Sequence, residues 1–164
     1  MDSNGNFYVK GGFVYAVGTG NPEKSLDANT EQGKKLYVSG GTLIAIGDLE
    51  GSAQISNGTC KYATSWTRDS WYALYDGSNL AGIFKTPAAS STSGGGGGPW
   101  GGGSSSLKLI VYTASTPALQ SGVTVSNGIT ILNGMVNTGG TVSGGSSVSL
   151  SDYTSQGGGG RPGR

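Results

Sequence analysis

The sequence contains no histidine and one cysteine, and only 12% of its 164 residues are charged. Without histidine, imidazole catalysis and imidazole metal ligation are excluded. A lone Cys60 forms no internal disulfide, so cysteine usage says nothing about redox compartment, and the residue reads as a small, partly buried apolar side chain. Charge this sparse argues against a charge-rich disordered chain and against a coiled coil. A formal net charge of +1 leaves no basic footprint for nucleic acid and no polybasic segment for an anionic membrane. No apolar run approaches the roughly 18 residues of a membrane span, and Met1-Asp2-Ser3-Asn4-Gly5 does not open a signal peptide. The expectation is therefore neither nucleic acid as a partner nor insertion into a membrane.

Glycine, by contrast, is abundant at 33 residues, yet it follows no G-X-Y period, which excludes collagen. Much of it lies in two tracts. Pro87 to Ser106 reads PAASSTSGGGGGPWGGGSSS, and Gly157 to Arg164 closes the chain. Such tracts have too little apolar surface to offset their ordering entropy. The expected organisation is strand-rich residues 1–86, a linker or long loop at 87–106, further strands over 107–156, and a disordered tail at 157–164. Eight of the nine acidic residues fall between Asp2 and Asp76, which separates the two strand-rich parts chemically. Trp100, inside the first tract, reads either as an aromatic anchor for the loop or as an exposed ligand-contacting ring.

The most informative pattern is a repeat. Phe7-Tyr8-Val9-Lys10-Gly11-Gly12-Phe13-Val14-Tyr15-Ala16-Val17-Gly18 recurs as Leu36-Tyr37-Val38-Ser39-Gly40-Gly41-Thr42-Leu43-Ile44-Ala45-Ile46-Gly47, at an offset of 29 residues. Upstream of each copy stands a polar corner, Asp2-Ser3-Asn4-Gly5 and Asp27-Ala28-Asn29-Thr30. Val, Ile, Tyr, Phe and Thr dominate the runs and no 3.6-residue period appears, so each unit is strand, Gly-Gly corner, strand, with almost no helix anywhere. A unit of this length suits one rung of a right-handed parallel β-helix, with rungs about 4.8 Å apart. The expected fold is all-β: solenoid rungs, then antiparallel strands and hairpins that cap or flank them. Alternation sends Phe7, Val9, Leu36 and Val38 inward and leaves Tyr8 over Tyr37 outside. After the corner, either Val14/Ala16 with Leu43/Ala45 or Tyr15 with Ile44 faces in. Further along, Trp71–Lys85 reads as a hairpin, and Asn127-Gly128 between apolar residues gives a second hairpin signal.

The segments DSNGNFYVKGG, DANT with KKLYVSGG, LEGSAQIS, SWYALYDGSNLAGIFKTP and GVTVSNGITILNGM together resemble the C-terminal portion of carbohydrate-binding-domain-containing proteins with a pectate-lyase-like right-handed β-helix, secreted or surface-anchored in bacteria. The resemblance implies non-catalytic binding of plant cell-wall or acidic polysaccharide outside the cell or at its surface, with calcium at the Asp-bearing corners. On the matching corners, Asp2, Asn4, Asp27 and Asn29 are the candidate ligands, since hard cations take carboxylate and carbonyl oxygens. The same corners also fit solvated Asx-turns and an amide ladder between rungs.

Tyr8, Tyr37 and Tyr15 form a candidate sugar-binding strip, because a phenol supplies apolar area and a hydrogen-bonding rim together. Trp66 belongs to a second aromatic group with Trp71, Tyr72 and Tyr75, and packing under the later strands is the alternative for both groups, the favoured one for Trp71 and Tyr75. No phosphate loop occurs. No paired carboxylates suggest glycoside hydrolysis, and Arg68 beside Asp69 is the sole basis for a lyase-like reading, the weakest of the three. The other alternative is a structural or adhesive solenoid that self-associates through the N-terminal rung edge, where Phe7 and Val9 lack a neighbour.

Overall fold

The computed structural model describes residues 1–18, 24–88 and 107–154. Apart from a 3-10 turn at Thr30–Gln32, regular structure among these residues is strand. In chain order the strands are β1 (Asp2–Ser3), β2 (Phe7–Val17), β3 (Asp27–Ala28), β4 (Leu36–Gly47), β5 (Gln54–Ile55), β6 (Thr59–Ala63), β7 (Trp71–Asp76) and β8 (Asn79–Lys85). After the glycine tract follow β9 (Lys108–Thr113), β10 (Pro117–Ser121), β11 (Thr124–Ser126), β12 (Ile129–Ile131), β13 (Val136–Thr138), β14 (Thr141–Ser143), β15 (Ser146–Val148) and β16 (Ser151–Asp152).

The parallel β-helix expected from the repeat is not what forms. Parallel pairing joins β1 to β3, β2 to β4, and two residues of β4 to β5. There the stacking ends, because β9 lies antiparallel to β4 along Leu43–Gly47 and antiparallel to β6 on its other side. The second strand of a third turn is thereby displaced by a strand that arrives about sixty residues later. The result is a mixed sheet in the order β16-β6-β9-β4-β2, facing an antiparallel sheet in the order β12-β13-β8-β7-β10-β15. The later strands do not cap a solenoid; β9 is an interior strand of the first sheet and β10 pairs with β7 in the second.

Burial explains why β9 is accepted there. Its run Leu109-Ile110-Val111-Tyr112 is apolar at every position, the pattern of a strand covered on both faces. Ile110 and Tyr112 join Leu43 and Ala45 of β4 in one core, roofed by Leu26, Leu49 and Ala53. Leu109 and Val111 join Ile44 and Ile46 in a second core against Tyr72, Leu74, Phe84 and Leu119 of the facing sheet. The two inward registers possible after the Gly-Gly corner are thus both used, one on each face.

Two hairpin signals end differently. Trp71 to Lys85 pairs as β7 with β8 around Gly77. Asn127-Gly128 adopts positive φ at both residues, but it does not join a pair of strands. β11 pairs with β14 and β12 with β13, so the dipeptide bends one arm of a longer ribbon whose other arm bends at Gly139-Gly140. The Asn137 amide ties this bend by donating to the Asn127 carbonyl at 3.1 Å. The dipeptide turns the backbone through positive φ, but the hairpin expected there does not form because each arm pairs with a later strand.

The two copies of the repeat meet in the register of their sequence offset, with Phe7 opposite Leu36, Tyr8 opposite Tyr37 and Tyr15 opposite Ile44. The corner demands glycine at β4 because the backbone of β2 lies against it. A methyl group on Gly40 would run into the Lys10 carbonyl, and one on Gly41, at φ +83°, would sit 2.5 Å from the Gly12 carbonyl oxygen. Gly40→Ala is therefore expected to lower stability by about 1–3 kcal/mol, the usual cost of overpacking, read as a fall in denaturation midpoint; an unchanged midpoint would mean that the two corners are not in contact.

Candidate functional site

The first halves of β2 and β4, with β5, present one face to solvent. Inward go Phe7, Val9, Leu36, Val38 and Ile55, which belong to or pack on the first core. Outward alternation leaves Asn6, Tyr8 and Lys10 along one strand, Lys35, Tyr37 and Ser39 along the next, and Gln54 on the third. The rings of Tyr8 and Tyr37 stack with centroids 5.0 Å apart and planes inclined by 10°. Tyr8 is 53% exposed, whereas Tyr37 is half-buried between its neighbours. The Lys10 ammonium stands 5.1 Å from the Tyr8 centroid, and the Asn6 amide donates to the Tyr8 hydroxyl at 3.2 Å. Asn6 Oδ1 in turn accepts from the Lys35 backbone N–H at 2.9 Å, which locks the start of the face. Among the described residues neither Lys10 nor Lys35 takes part in a salt bridge. Chemically the face is an aromatic ridge flanked by ammonium groups and amides.

Tyr15 does not belong to it. The second halves of the strands are covered by the facing sheet, so Tyr15 points between the sheets, with its ring 6.2 Å from Phe84 and its hydroxyl donating to the Lys85 carbonyl at 2.8 Å. Burial pushes its phenol up to about 12. Trp66 is anchored to the second core, with its indole N–H donating to the Leu107 carbonyl at 2.7 Å and Arg68 lying 5.2 Å over its ring. Asp69, the neighbour of Arg68, pairs with Lys85. Trp100 lies outside the described residues, as do most of the 87–106 tract and the whole of the 157–164 tail. Cys60 is buried, and burial pushes its thiol up to about 12.

At the polar corners, the register sets Asp2 beside Asp27. The Asp27 N–H donates to the Met1 carbonyl at 2.9 Å, and one turn later the Glu50 N–H donates to the Leu26 carbonyl at 3.0 Å, beside the parallel bridge between Leu26 and Leu49. Glu50 therefore continues the Asp2, Asp27 column. The repeat does not mark it, because the third turn has lost its second strand; the surviving signal is the pairing of an apolar residue with an acid in Met1-Asp2, Leu26-Asp27 and Leu49-Glu50. Of the four expected calcium ligands, Asp2 and Asp27 are paired in register, while Asn29 is engaged by the turn that follows it. Asn29 Oδ1 accepts from the Gln32 N–H at 3.2 Å as a cap, and the Asp27 carboxylate shares a hydrogen bond with Glu50. No group of three or more acidic, His or Cys side chains among the described residues is arranged to hold a metal ion.

A second polar cleft, also absent from the sequence reading, is lined by Lys24, Asp48, Tyr62, Lys108 and Tyr153. Within it Lys108 pairs with Asp48 at 3.5 Å. The Tyr153 phenol is pushed up by burial and then by Asp48, and its ring meets Tyr62 edge-on at 6.3 Å.

Desolvation raises the Glu50 carboxyl above its ordinary value, helped by the hydrogen bond with Asp27 and opposed by the Gly51 N–H and by Lys24. A raised acid favours folding only while it is protonated. Its contribution is thus present below the ordinary glutamate value of about 4.3 and is lost as pH climbs through the raised value. Glu50→Gln keeps a donor for Asp27 and an acceptor for Gly51 without the charge. The variant is expected to melt above the wild type at pH 7 and to lose that advantage in acid; an advantage independent of pH would show that the carboxyl is not strained.

Comparison of the chain with family models, with curated proteins and with solved structures finds no match.

Proposed function

We propose that this chain is a non-catalytic binder of acidic polysaccharide and that the ligand lies across the outward face of β2, β4 and β5. The observation that carries the reading is the exposed Tyr8–Tyr37 stack with Lys10 beside it. Parallel strands about 4.8 Å apart present one side chain each at the same level, so a linear glycan crossing the strands meets a phenol rim, a second phenol rim and then the Gln54 amide. Phenols offer apolar area to the CH face of a sugar and a hydroxyl to its rim. The ammonium groups of Lys10 and Lys35 supply charge complementarity to uronate carboxylates, while the absence of a carboxylate from Asn6, Tyr8, Lys10, Lys35, Tyr37, Ser39 and Gln54 avoids repulsion. The resemblance to bacterial carbohydrate-binding proteins points to the same ligand class. Under this proposal the chain works where such glycans lie, outside the cell or at its surface.

The two halves of the site have separable signatures in affinity electrophoresis through polygalacturonate and through a neutral β-glucan. Tyr8→Ala with Tyr37→Ala is expected to weaken retardation in uronate gels by about tenfold or more, the loss of roughly 1.4 kcal/mol or greater. Lys10→Ala with Lys35→Ala should weaken uronate binding alone and flatten its salt dependence, because exposed charge contacts are screened. Uronate binding that survives the tyrosine pair unchanged, in a variant with wild-type melting behaviour, would refute the site. Repeating the measurement with calcium and with a chelator separates direct ammonium recognition from cation bridging.

A further inference from the structure

The two sheets end unevenly at β2. β2 is the last strand of its sheet, and its Phe13 and Tyr15 rest on β8, where Phe13 lies over Gly82 and Tyr15 over Phe84. The facing sheet continues past β8 for two more strands, β13 and β12. Directly paired residues share a face, and Phe84 pairs with Val136, which pairs with Ile131. Phe84 and Val136 belong to the inter-sheet core, so Ile131 and, two residues away, Ile129 point toward the level of the first sheet, where no strand stands among the described residues. They are 43% and 70% exposed. A groove of about 590 Å³ lies there, lined by Phe13, Leu80, Ile83, Ile131, Leu132 and Val136 among others.

Gly11 carries a second, independent observation at the same edge. On β4 the equivalent Gly40 is obligatory because the Lys10 carbonyl lies where its Cβ would be. Gly11 has no left-handed φ, and a Cβ built on it meets nothing within 4 Å. Glycine inside a strand costs about 0.5–1 kcal/mol relative to alanine, and nothing within the described chain requires it at Gly11. A parallel strand seated on β2 as β2 is seated on β4 would supply the reason, since its carbonyl would abut Gly11.

We infer that the β2 edge is a docking site for a parallel polypeptide strand carrying the same strand, Gly-Gly, strand unit, whose large apolar residues after the corner fill the groove over Ile129 and Ile131. The mode is strand addition, with backbone hydrogen bonds supplying affinity and the corner and groove supplying register and choice of partner. A second copy of this chain does not provide that strand. Its β4 is enclosed by β2 on one side and by β5 and β9 on the other, and two β2 edges related by a two-fold axis perpendicular to the sheet would run antiparallel, out of register with the glycine corner. Docking would extend the outward face bearing Tyr8 rather than cover it, so the inference stands apart from the glycan reading.

The probe is a fluorescein-labelled peptide of residues 5–18, titrated with the whole chain and followed by anisotropy. Saturable binding is expected, with amide shifts in an NMR titration confined to Phe7–Val17 and the β12–β13 ribbon. Gly11→Ala should weaken binding by about tenfold or more while leaving the melting temperature equal to or above that of the wild type, because its methyl group has open space in the free chain. Ile131→Ser, at an exposed position, should also weaken binding without unfolding the chain. Absence of saturable binding to the wild type, or equal binding by Gly11→Ala, would overturn the inference, and sedimentation of the peptide-free chain as a β2-mediated dimer would overturn the choice of occupant.

Discussion

Most of this structure depends on the burial of β9 between β4 and β6. A strand apolar at four successive positions has no wet face to offer, so it is stable only in the interior of a sheet covered on both sides. β4 meets that need, because Leu43 and Ala45 face one way while Ile44 and Ile46 face the other. Each leucine or isoleucine among them, fully buried, is worth about 1.5–3 kcal/mol relative to exposure. A third solenoid turn at the same edge had less to give: Lys61 and Tyr62, on the strand that such a turn would have placed there, are only half-buried even where they now lie. Docking β9 also fixes the second layer, since Leu109 and Val111 supply the inter-sheet core on which β7, β8 and β10 close.

The Gly-Gly corner divides each repeat into a half with one wet face and a half whose two faces meet the two cores. Before the corner, Tyr8 and Tyr37 reach solvent; after it, Tyr15 and Ile44 are covered by β8. The outward residues also differ, since Lys10 and Ser39 stand beside the tyrosines before the corner and Val17, Ile44 and Ile46 take the corresponding face after it. Coverage by β8 is why Tyr15, which looks like a third member of the aromatic strip, is a structural phenol with a carbonyl partner, while the ridge is left with two rings and an ammonium. The same unevenness of the sheets at their other margin leaves Ile129 and Ile131 uncovered beyond β2.

The polar corners show a different balance. Stacking turns in register necessarily stacks their acids, and the column of Asp2, Asp27 and Glu50 runs from an exposed carboxylate to one desolvated enough to hold its proton more tightly. At Glu50 the shared hydrogen bond with Asp27 and burial favour the protonated acid, while the Gly51 N–H and Lys24 favour the charged one. Asn29, read as a ligand, is occupied in capping the 3-10 turn, which is the ordinary use of an Asn side chain ahead of a helical turn.

Strand identity, the 29-residue register of β2 on β4, the outward placement of Tyr8 over Tyr37 and the β7–β8 hairpin are all carried by local patterning. They depend on a two-residue alternation, on a repeat that pairs with itself and on turn residues that act within four positions of each other. The solenoid was an extrapolation from two turns, and no local signal opposed it. What opposed it was a strand about sixty residues away, whose uninterrupted apolar run states that both faces are buried without stating between which neighbours. The fate of Tyr15 follows from that long-range choice, because the second sheet closes over the core that β9 supplies. Sequence alone determined which residues pair within the repeat, because those contacts are made by like segments in fixed register; only the tertiary structure decided which faces became dry, because that depends on the partner each face finds.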